Sequence, residues 1–208
     1  MTITTKHIAK NYDAKSPFTP EFIIIHETAN RSHGANAQAH YAYWNRDASA
    51  RASAHFVVDD REILNMVPLT CVAWHIGDGG AKNPINNQNA IGIEICVNAD
   101  GDYTRAVKNA LMLTRYLMRT YRIPAANVLR HYDVSGKHCP ATMLDTPALW
   151  TAFKASLHAD PLLFLGDTVS HLPTRLWDNT TYVPLRALCE TLGHTVLWDA
   201  DSGSVTVE

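Results

Sequence analysis

Two short apolar segments, one that ends at His26 and one that is interrupted by Glu94, constrain the fold of this chain most strongly. The first, FIIIHETAN, predicts a strand that is buried on both faces and carries His26 at its end, because a short apolar run before a polar turn is typical of a strand inside a sheet. The second, NAIGIEICVNADGD, predicts another strand that ends before the Asp100-Gly101 turn. On this strand Glu94 shares a face with Gly92 and Cys96. A lone carboxylate in such an apolar strand is rarely structural, so Glu94 is a functional candidate.

Other segments predict helices and a hairpin. RAVKNALMLTRYLMRTYRI predicts the longest helix, which Pro124 ends. Its apolar stripe contains Val107, Ala110, Leu111, Thr114, Leu117, Met118 and Tyr121. GANAQAHYAYWNRD predicts a helix capped by Asn36, and DTPALWTAFKASLHA predicts a helix with Asp145 as its cap and Pro147 in its first turn. AHFVVDDREILNMVPL predicts a β-hairpin that turns at Asp59-Asp60.

Charge and hydropathy argue against two classes of partner. The 208 residues carry a formal net charge of -2 at pH 7 and contain no run of Lys or Arg, so neither a nucleic-acid interface nor a polybasic membrane patch is expected. No segment approaches the roughly 20 apolar residues that a membrane span requires. The N-terminal segment MTITTKHIAKNYDAKSPFTP lacks the apolar region of a secretory signal. We therefore expect synthesis in the cytoplasm without a signal peptide, and no membrane insertion.

The segment RHYDVSGKHCP concentrates ionisable side chains in one loop. Residues two apart in an extended chain point the same way, so Lys137 and Cys139 are expected to face one side and His138 the other. From the residues alone three interpretations stay open: an ordinary polar loop, a Cys139 nucleophile activated by a histidine, and a zinc site shared by His131, Cys139 and another histidine. In the third, His26 is the natural additional ligand, because active sites form at strand ends.

Five motifs together resemble one enzyme family. FIIIHETAN, ASAHFVVDD, AWHIGDG, NAIGIEICVN and HYDVSGKHCP occur in the order and approximate spacing of the zinc-dependent N-acetylmuramoyl-L-alanine amidases, from Phe22 to Met143. The resemblance is to the phage-endolysin, spore and autolysin branch, whose fold is shared with the animal peptidoglycan recognition proteins. It implies an α/β catalytic domain over residues 1–158, with a central mixed sheet flanked by helices.

The resemblance also implies roles for individual residues. These are His26, His131 and Cys139 as zinc ligands, Glu94 and Lys137 as catalytic residues, and His75 as a substrate contact. Two neutral imidazoles and one thiolate leave a zinc centre with a net charge of +1, which can still hold a hydroxide. Glu94 is then expected to accept the proton of the water, and Lys137 to stabilise the oxyanion. Some relatives carry a tyrosine where this chain has Ala54, so Glu94 is expected to carry more of the proton transfer.

The pattern changes after His158, where Ala159–Pro161 predicts a linker and residues 162–208 predict a small ββαββ module. TYVPLRALCETLGHTVLWDADSGSVTV resembles the copper amine oxidase N-terminal-like, or stalk, domain through its YVPLR segment, a short helix after Pro184 and the Trp198-Asp199 pair. The segment contains no His/Cys cluster with ligand spacing, so copper is not expected. Two interpretations stay open: a module that binds the cell wall, or a module that stabilises the chain or supports a homodimer.

The function implied is hydrolysis of the amide bond between N-acetylmuramic acid and L-alanine in bacterial peptidoglycan. A phage or prophage endolysin, released to the wall through a holin, is the expected setting. One alternative is a peptidoglycan-recognition protein that does not cleave, against which the presence of Cys139 argues. The other is a cytosolic amidase that recycles muropeptides, against which the C-terminal module argues.

Overall fold

Residues 2–77 and 84–158 are described by this computed structural model, together with residues 164–165, 168–169, 172, 174–177, 180–200 and 202–208. The chain divides into two units, Met1–His158 and Ala159–Glu208. Within the described residues, no helix combines the length and apolar character that spanning a bilayer demands. The linker predicted at Ala159–Pro161 lies outside the described residues.

A mixed sheet forms the centre of the first unit. The strands of this unit are β1 (Ile3–Thr5), β2 (Tyr12–Asp13), β3 (Phe22–Glu27), β4 (Phe56–Val58), β5 (Ile63–Asn65), β6 (Val72–Ala73), β7 (Ala90–Ile95) and β8 (Val128–Arg130). Six of those described form one sheet in the order β1-β5-β4-β7-β3-β8, while β2 and β6 form a separate antiparallel pair. β7 runs parallel to β3 and β4, β8 runs parallel to β3, and β4 is antiparallel to β5. The predicted α/β architecture with a mixed sheet is confirmed.

Helices cover this sheet. They are α1 (Ala37–Arg46), α2 (Tyr103–Tyr121), α3 (His131–Ser135), α4 (Ala141–Asp145) and α5 (Pro147–Ser156), with short 3-10 turns at Ala48–Ala50 and Ala125–Asn127. The Asn36 side chain accepts a hydrogen bond from the backbone N–H of Ala39, so the predicted cap of α1 is present. α2 begins two residues before the predicted segment because the Asp102 side chain caps it, and it ends where Arg122 adopts a left-handed conformation.

The two faces of the sheet bury alternate residues of the same strands. Ile23 and Ile25 of β3 share an apolar cluster with the three isoleucines of β7 and the buried stripe of α2. Ile24 belongs to a different cluster, and His26 lies on its face because it follows two residues later. The strand register makes His26 and Glu94 direct Cα partners. The two ionisable residues therefore lie side by side on the face opposite α2.

Two local predictions have different outcomes. The hairpin is present, since β4 pairs with β5 and the Asp59 carboxylate accepts hydrogen bonds from the backbone N–H groups of Arg61 and Glu62. The predicted cap at Asp145 is wrong. Asp145 is the last residue of α4, and α5 begins at Pro147 after Thr146, without a side-chain cap hydrogen bond. Proline at the first position presets the helical φ angle, so the helix begins without a capping side chain.

The second unit contains more strands than the predicted ββαββ order. Its strands are β9 (Phe164–Leu165), β10 (Thr168–Val169), β11 (Arg175–Trp177), β12 (Thr180–Tyr182), β13 (Val196–Asp199) and β14 (Ser204–Val207), and its helix is α6 (Leu185–Thr191). Each of the two strands predicted before the helix is an antiparallel pair, β9 with β10 and β11 with β12. The sequence has Gly166-Asp167 and Asp178-Asn179 between them, residue types that favour turns. β13 and β14 form the final antiparallel pair.

Candidate functional site

Parallel strands bring the candidate residues to one edge of the sheet. β3 and β8 are parallel, so their carboxyl ends meet, and His26 lies at the end of the first while His131 directly follows the second. Cys139 follows α3 in a loop, and the backbone N–H of Tyr132 donates to its carbonyl oxygen across 2.9 Å. The loop therefore folds back, so that Cys139 lies next to His131.

Three of the predicted residues form a cluster with metal-ligating chemistry. The ligand atoms of His26, His131 and Cys139 all lie within 4.8 Å of one another, and all three residues are buried. His26 Nδ1 is 3.0 Å from His131 Nδ1 and 3.9 Å from Cys139 Sγ. Tetrahedral zinc, with Zn–N of about 2.0–2.1 Å and Zn–S of about 2.3 Å, separates its nitrogen ligands by about 3.3 Å and nitrogen from sulfur by about 3.6 Å. The donor set and its spacing fit a tetrahedral metal ion such as zinc.

The surroundings of these ligands favour metal ligation over nucleophilic catalysis. Burial, together with His75 and His131, holds the pKa of His26 well below its usual value, so its imidazole is neutral, as a ligand must be. Burial and the nearby Glu94 raise the pKa of the Cys139 thiol to about 12. A catalytic thiol requires a lowered pKa, so the interpretation of Cys139 as an activated nucleophile loses its support. A metal ion that displaces the thiol proton remains compatible with this environment.

Glu94 lies beside this cluster with a carboxylate oxygen that is not satisfied. Its Oε2 atom is shielded from solvent and has no hydrogen-bond partner among the described residues. Burial raises the pKa of this carboxyl to about 7, Lys137 opposes that rise, and Glu27 adds to it. A group whose pKa lies near neutrality and whose oxygen is unpartnered is suited to exchange protons with a bound water or substrate.

The candidate residues share one open groove of about 710 Å³. Its lining includes the candidate residues His26, Glu94, His131, Lys137 and Cys139. Tyr43, Trp44, Arg51, Ser53 and Trp74 also line it. Lys137 is exposed, whereas the neighbouring His138 turns its ring to the Asp145 carboxylate at 3.0 Å.

His75 also borders the groove, but its ring is directed inward. Nε2 lies 2.9 Å from the carbonyl oxygen of Ala90, and Nδ1 lies 3.0 Å from His26 Nε2. His55, below it, is fully buried, with Nε2 3.1 Å from the carbonyl oxygen of Cys71 and Nδ1 accepting from the backbone N–H of Gly92. The substrate contact of His75 stays a prediction.

Glu27 supports the site, although the sequence did not single it out. Its carboxylate accepts hydrogen bonds from the Tyr103 hydroxyl at 2.5 Å and from the Thr142 hydroxyl and backbone N–H at 3.1 Å each. Its own backbone N–H donates to Cys139 Sγ at 3.4 Å. Glu27 thus links the end of β3, the start of α2 and the loop that carries Cys139. In the sequence, only its position directly after His26 at the end of an apolar run distinguishes this acid.

Asp133 has a local role. Its carboxylate accepts hydrogen bonds from the backbone N–H and the guanidinium of Arg130, with Arg130 Nη2 at 2.7 Å. This pairing closes the first turn of α3, at whose start His131 lies. Asp133 therefore fixes the direction in which the chain enters the helix.

Two family models match the chain. Residues 16–142 match the family described as N-acetylmuramoyl-L-alanine amidase, a range that contains all six candidate residues. Residues 166–208 match the copper amine oxidase N-terminal domain.

Individual proteins and structures match the first unit. The N-acetylmuramoyl-L-alanine amidase XlyA of Bacillus subtilis is 46% identical over 139 residues, which are 67% of this chain and 44% of that protein. The amidase CwlH of the same species is 42% identical over 134 residues, 64% of this chain and 51% of that protein. The chain therefore spans about half the length of these curated relatives.

The solved catalytic domain of XlyA superposes with a TM-score of 0.67 at 42% identity, covering 76% of this chain and 99% of that domain. The solved structure of PlyL superposes with a TM-score of 0.66 at 31% identity, covering 76% of this chain and 98% of PlyL.

Proposed function

The chain belongs to the N-acetylmuramoyl-L-alanine amidase family, and from that premise we propose that it hydrolyses the amide bond between N-acetylmuramic acid and L-alanine in peptidoglycan, with zinc as its metal. One observation carries the proposal: a His–His–Cys ligand set lies in a groove beside Glu94, a carboxyl group whose Oε2 has no partner among the described residues. Amide hydrolysis needs a polarised carbonyl, an activated water and a group that moves protons, and this arrangement offers a residue for each requirement.

His26, His131 and Cys139 would hold the metal. When bound, zinc supplies Lewis acidity, which polarises a carbonyl oxygen and lowers the pKa of a water molecule to about 7. Two neutral imidazoles and one thiolate cancel only one of its two positive charges, so this acidity is retained. The buried ligands hold that site in a setting of low polarity, where charge interactions are stronger than in water.

Glu94 acts as the general base and then as the general acid. Its pKa of about 7 allows the carboxylate to accept the proton of the attacking water and to return it to the departing amine of L-alanine. The unpartnered Oε2 supports this role, because the atom has no hydrogen bond to any of the described residues that must break before it takes the proton. General acid–base catalysis of this kind is typically worth about 10²–10⁴-fold in rate.

Lys137 stabilises the negative charge that develops on the carbonyl oxygen. Its ammonium group borders the same groove and lies close enough to Glu94, His26 and Cys139 to influence the pKa of each. A cation directed at the developing oxyanion lowers the barrier because the charge is absent from the ground state.

The family and the second module support a proposed cellular setting. We propose a phage or prophage endolysin that reaches the wall through a holin, with a catalytic domain over residues 1–158 and a module over residues 162–208 that binds the wall. The match to the copper amine oxidase N-terminal domain is equally compatible with a module that stabilises the chain or supports a homodimer, and truncation of the module separates these functions.

Product analysis tests the proposal directly. Purified sacculi are digested with the full chain, with and without a chelator, and the fragments are identified by mass spectrometry. We expect stem peptides with a free L-alanine amino group and glycan chains with a free lactyl carboxylate, and we expect chelation to abolish both. Cleavage of a glycosidic bond or of a peptide cross-link would overturn the proposal.

The alternatives give different results in the same experiment. Binding to sacculi without any new fragment indicates a recognition protein that does not cleave. Release of peptides from soluble anhydromuropeptides, with intact sacculi untouched, indicates a recycling amidase. Glu94→Gln is the matched control, because it removes the proposed base and leaves the metal ligands in place.

A further inference from the structure

We propose that His75 is a positioning residue that fixes the tautomer of His26, so that the unprotonated Nδ1 atom of His26 faces the metal site. The inference rests on the proposed zinc site but concerns a residue outside its ligand set. It also differs from the substrate contact that the resemblance implies for His75.

The hydrogen bonds define the tautomer of His75 and, through it, the tautomer of His26. A carbonyl oxygen only accepts, so the 2.9 Å contact between Ala90 O and His75 Nε2 requires a proton on Nε2. A neutral histidine carries one ring proton, and therefore His75 Nδ1 is an acceptor. Its partner at 3.0 Å, His26 Nε2, must donate. His26 then has no proton on Nδ1, the atom that lies 3.0 Å from His131 Nδ1 and 3.9 Å from Cys139 Sγ.

The position of the His75 ring is itself closely defined. The backbone N–H groups of His75 and Ile76 both donate to the Asn87 side-chain oxygen, at 3.1 and 2.8 Å. The ring packs directly over Gly92, where an added Cβ would lie 2.6 Å from the ring Cγ. Glycine in the interior of a strand otherwise weakens it, so the close approach of His75 explains why β7 has one there.

These contacts leave His75 little capacity to bind substrate. The residue is 8% exposed, and both of its ring nitrogens are engaged, one by Ala90 and the other by His26. A ligand histidine whose second nitrogen donates to an outer partner is held in one orientation and is a more basic ligand. In many metal sites a carboxylate or carbonyl oxygen is that partner. Here the partner is the His75 imidazole, whose Nδ1 accepts from His26 because its Nε2 donates to the Ala90 carbonyl oxygen.

Two substitutions in the full chain separate positioning from packing. In His75→Leu the acceptor for His26 is lost, and we expect zinc to bind about 10–100-fold more weakly, the usual effect of removing such a partner. In His75→Asn the side-chain oxygen stands near the former Nδ1, so most of the affinity should be retained. Zinc affinity is measured by competition with a chelating indicator, and His40→Leu, which removes another buried histidine, should leave it unchanged.

A second measurement does not depend on zinc. Ring ¹⁵N chemical shifts of the metal-free protein should show His26 protonated at Nε2, and this preference should be lost in His75→Leu and kept in His75→Asn. If His75→Leu does not fold, Gly92→Ala takes its place, because the added methyl must displace the ring. It too should weaken zinc binding.

The inference is overturned if His75→Leu, or Gly92→Ala in its place, binds zinc as tightly as the unmodified chain while KM for a soluble muropeptide rises. That result assigns His75 to the substrate. It is also overturned if metal-free His26 is protonated at Nδ1. Failure of the unmodified chain to bind zinc would instead refute the proposed function, and the ¹⁵N shifts would still decide the tautomer.

Discussion

Acidification should destabilise the first unit through His55, and one substitution isolates this contribution. The His55 ring is fully buried and stacks on Phe18 with a centroid distance of 4.7 Å. Its Nε2 donates to the Cys71 carbonyl, and its Nδ1 accepts from the Gly92 N–H. A proton on Nδ1 would point at the Gly92 hydrogen. Only the neutral imidazole satisfies both partners, and burial lowers the pKa of His55 to about 4.

The size of the effect follows from this shift. The pKa falls from 6.5 in the unfolded chain to about 4 in the folded one, so the unfolded state binds the proton first as pH decreases. The stability that neutral His55 contributes is fully present above pH 6.5 and is lost as pH falls towards 4. At about 1.4 kcal/mol per pKa unit, the loss is about 2 kcal/mol between pH 7 and pH 5 and about 3 kcal/mol by pH 4.

Urea unfolding of the full chain at pH 7 and pH 5 provides the assay. His55→Asn keeps an acceptor for the Gly92 N–H and cannot take up a proton, so its free energy of unfolding should fall by about 2 kcal/mol less than that of the unmodified chain over this interval. The variant starts from a lower stability at pH 7 because it loses the stacking on Phe18. The control is His33→Asn, which removes an exposed histidine. Equal losses in His55→Asn and the unmodified chain would refute the reasoning.

Three further predictions concern the proposed metal and catalytic residues and the second module. Cys139→Ser should reduce bound zinc well below one equivalent in metal analysis and abolish lysis, because a hydroxyl is a poor substitute for a thiolate ligand; full zinc with full lysis would contradict the ligand assignment. Glu94→Gln should lower turnover by about 10²–10⁴-fold with zinc content unchanged, and near-normal turnover would assign the base elsewhere. A chain ending at Ala159 should hydrolyse soluble muropeptides normally but lyse whole walls more slowly, because tethering raises the effective concentration at an insoluble substrate. Equal loss on both substrates would indicate support of the fold or of a dimer.

The central strands could be predicted from the sequence because burial on both faces leaves a continuous apolar run, and β3 and β7 follow that pattern. The residues alone could not select among the three interpretations of Cys139, because Cys139 lies 113 positions after His26 and their distance depends on how the chain between them folds. Glu27 was missed for the same reason. Its partners Tyr103 and Thr142 are 76 and 115 positions along the chain, and no local pattern encodes such contacts.

The position of His75 illustrates a different limit. A family resemblance aligns a histidine with a groove, but the direction of its ring depends on the Ala90 carbonyl and on the space above Gly92. The extra strands before α6 were missed because segments of two or three residues are too short to show an alternating pattern.

The contacts of Glu27 bear on the order in which this protein is assembled. Its carboxylate accepts hydrogen bonds from the hydroxyl groups of Thr142 and Tyr103, and its backbone N–H donates to the Cys139 sulfur. These hydrogen bonds join protein groups directly. Small zinc modules remain unfolded until the ion arrives, because the ion itself must close their loops. Here the contacts of Glu27 hold the loop that carries Cys139, so the entropic cost of ordering the ligands is part of the folding free energy. The chain is consequently expected to fold before the proposed metal binds, and a chelator should remove that ion without unfolding the protein.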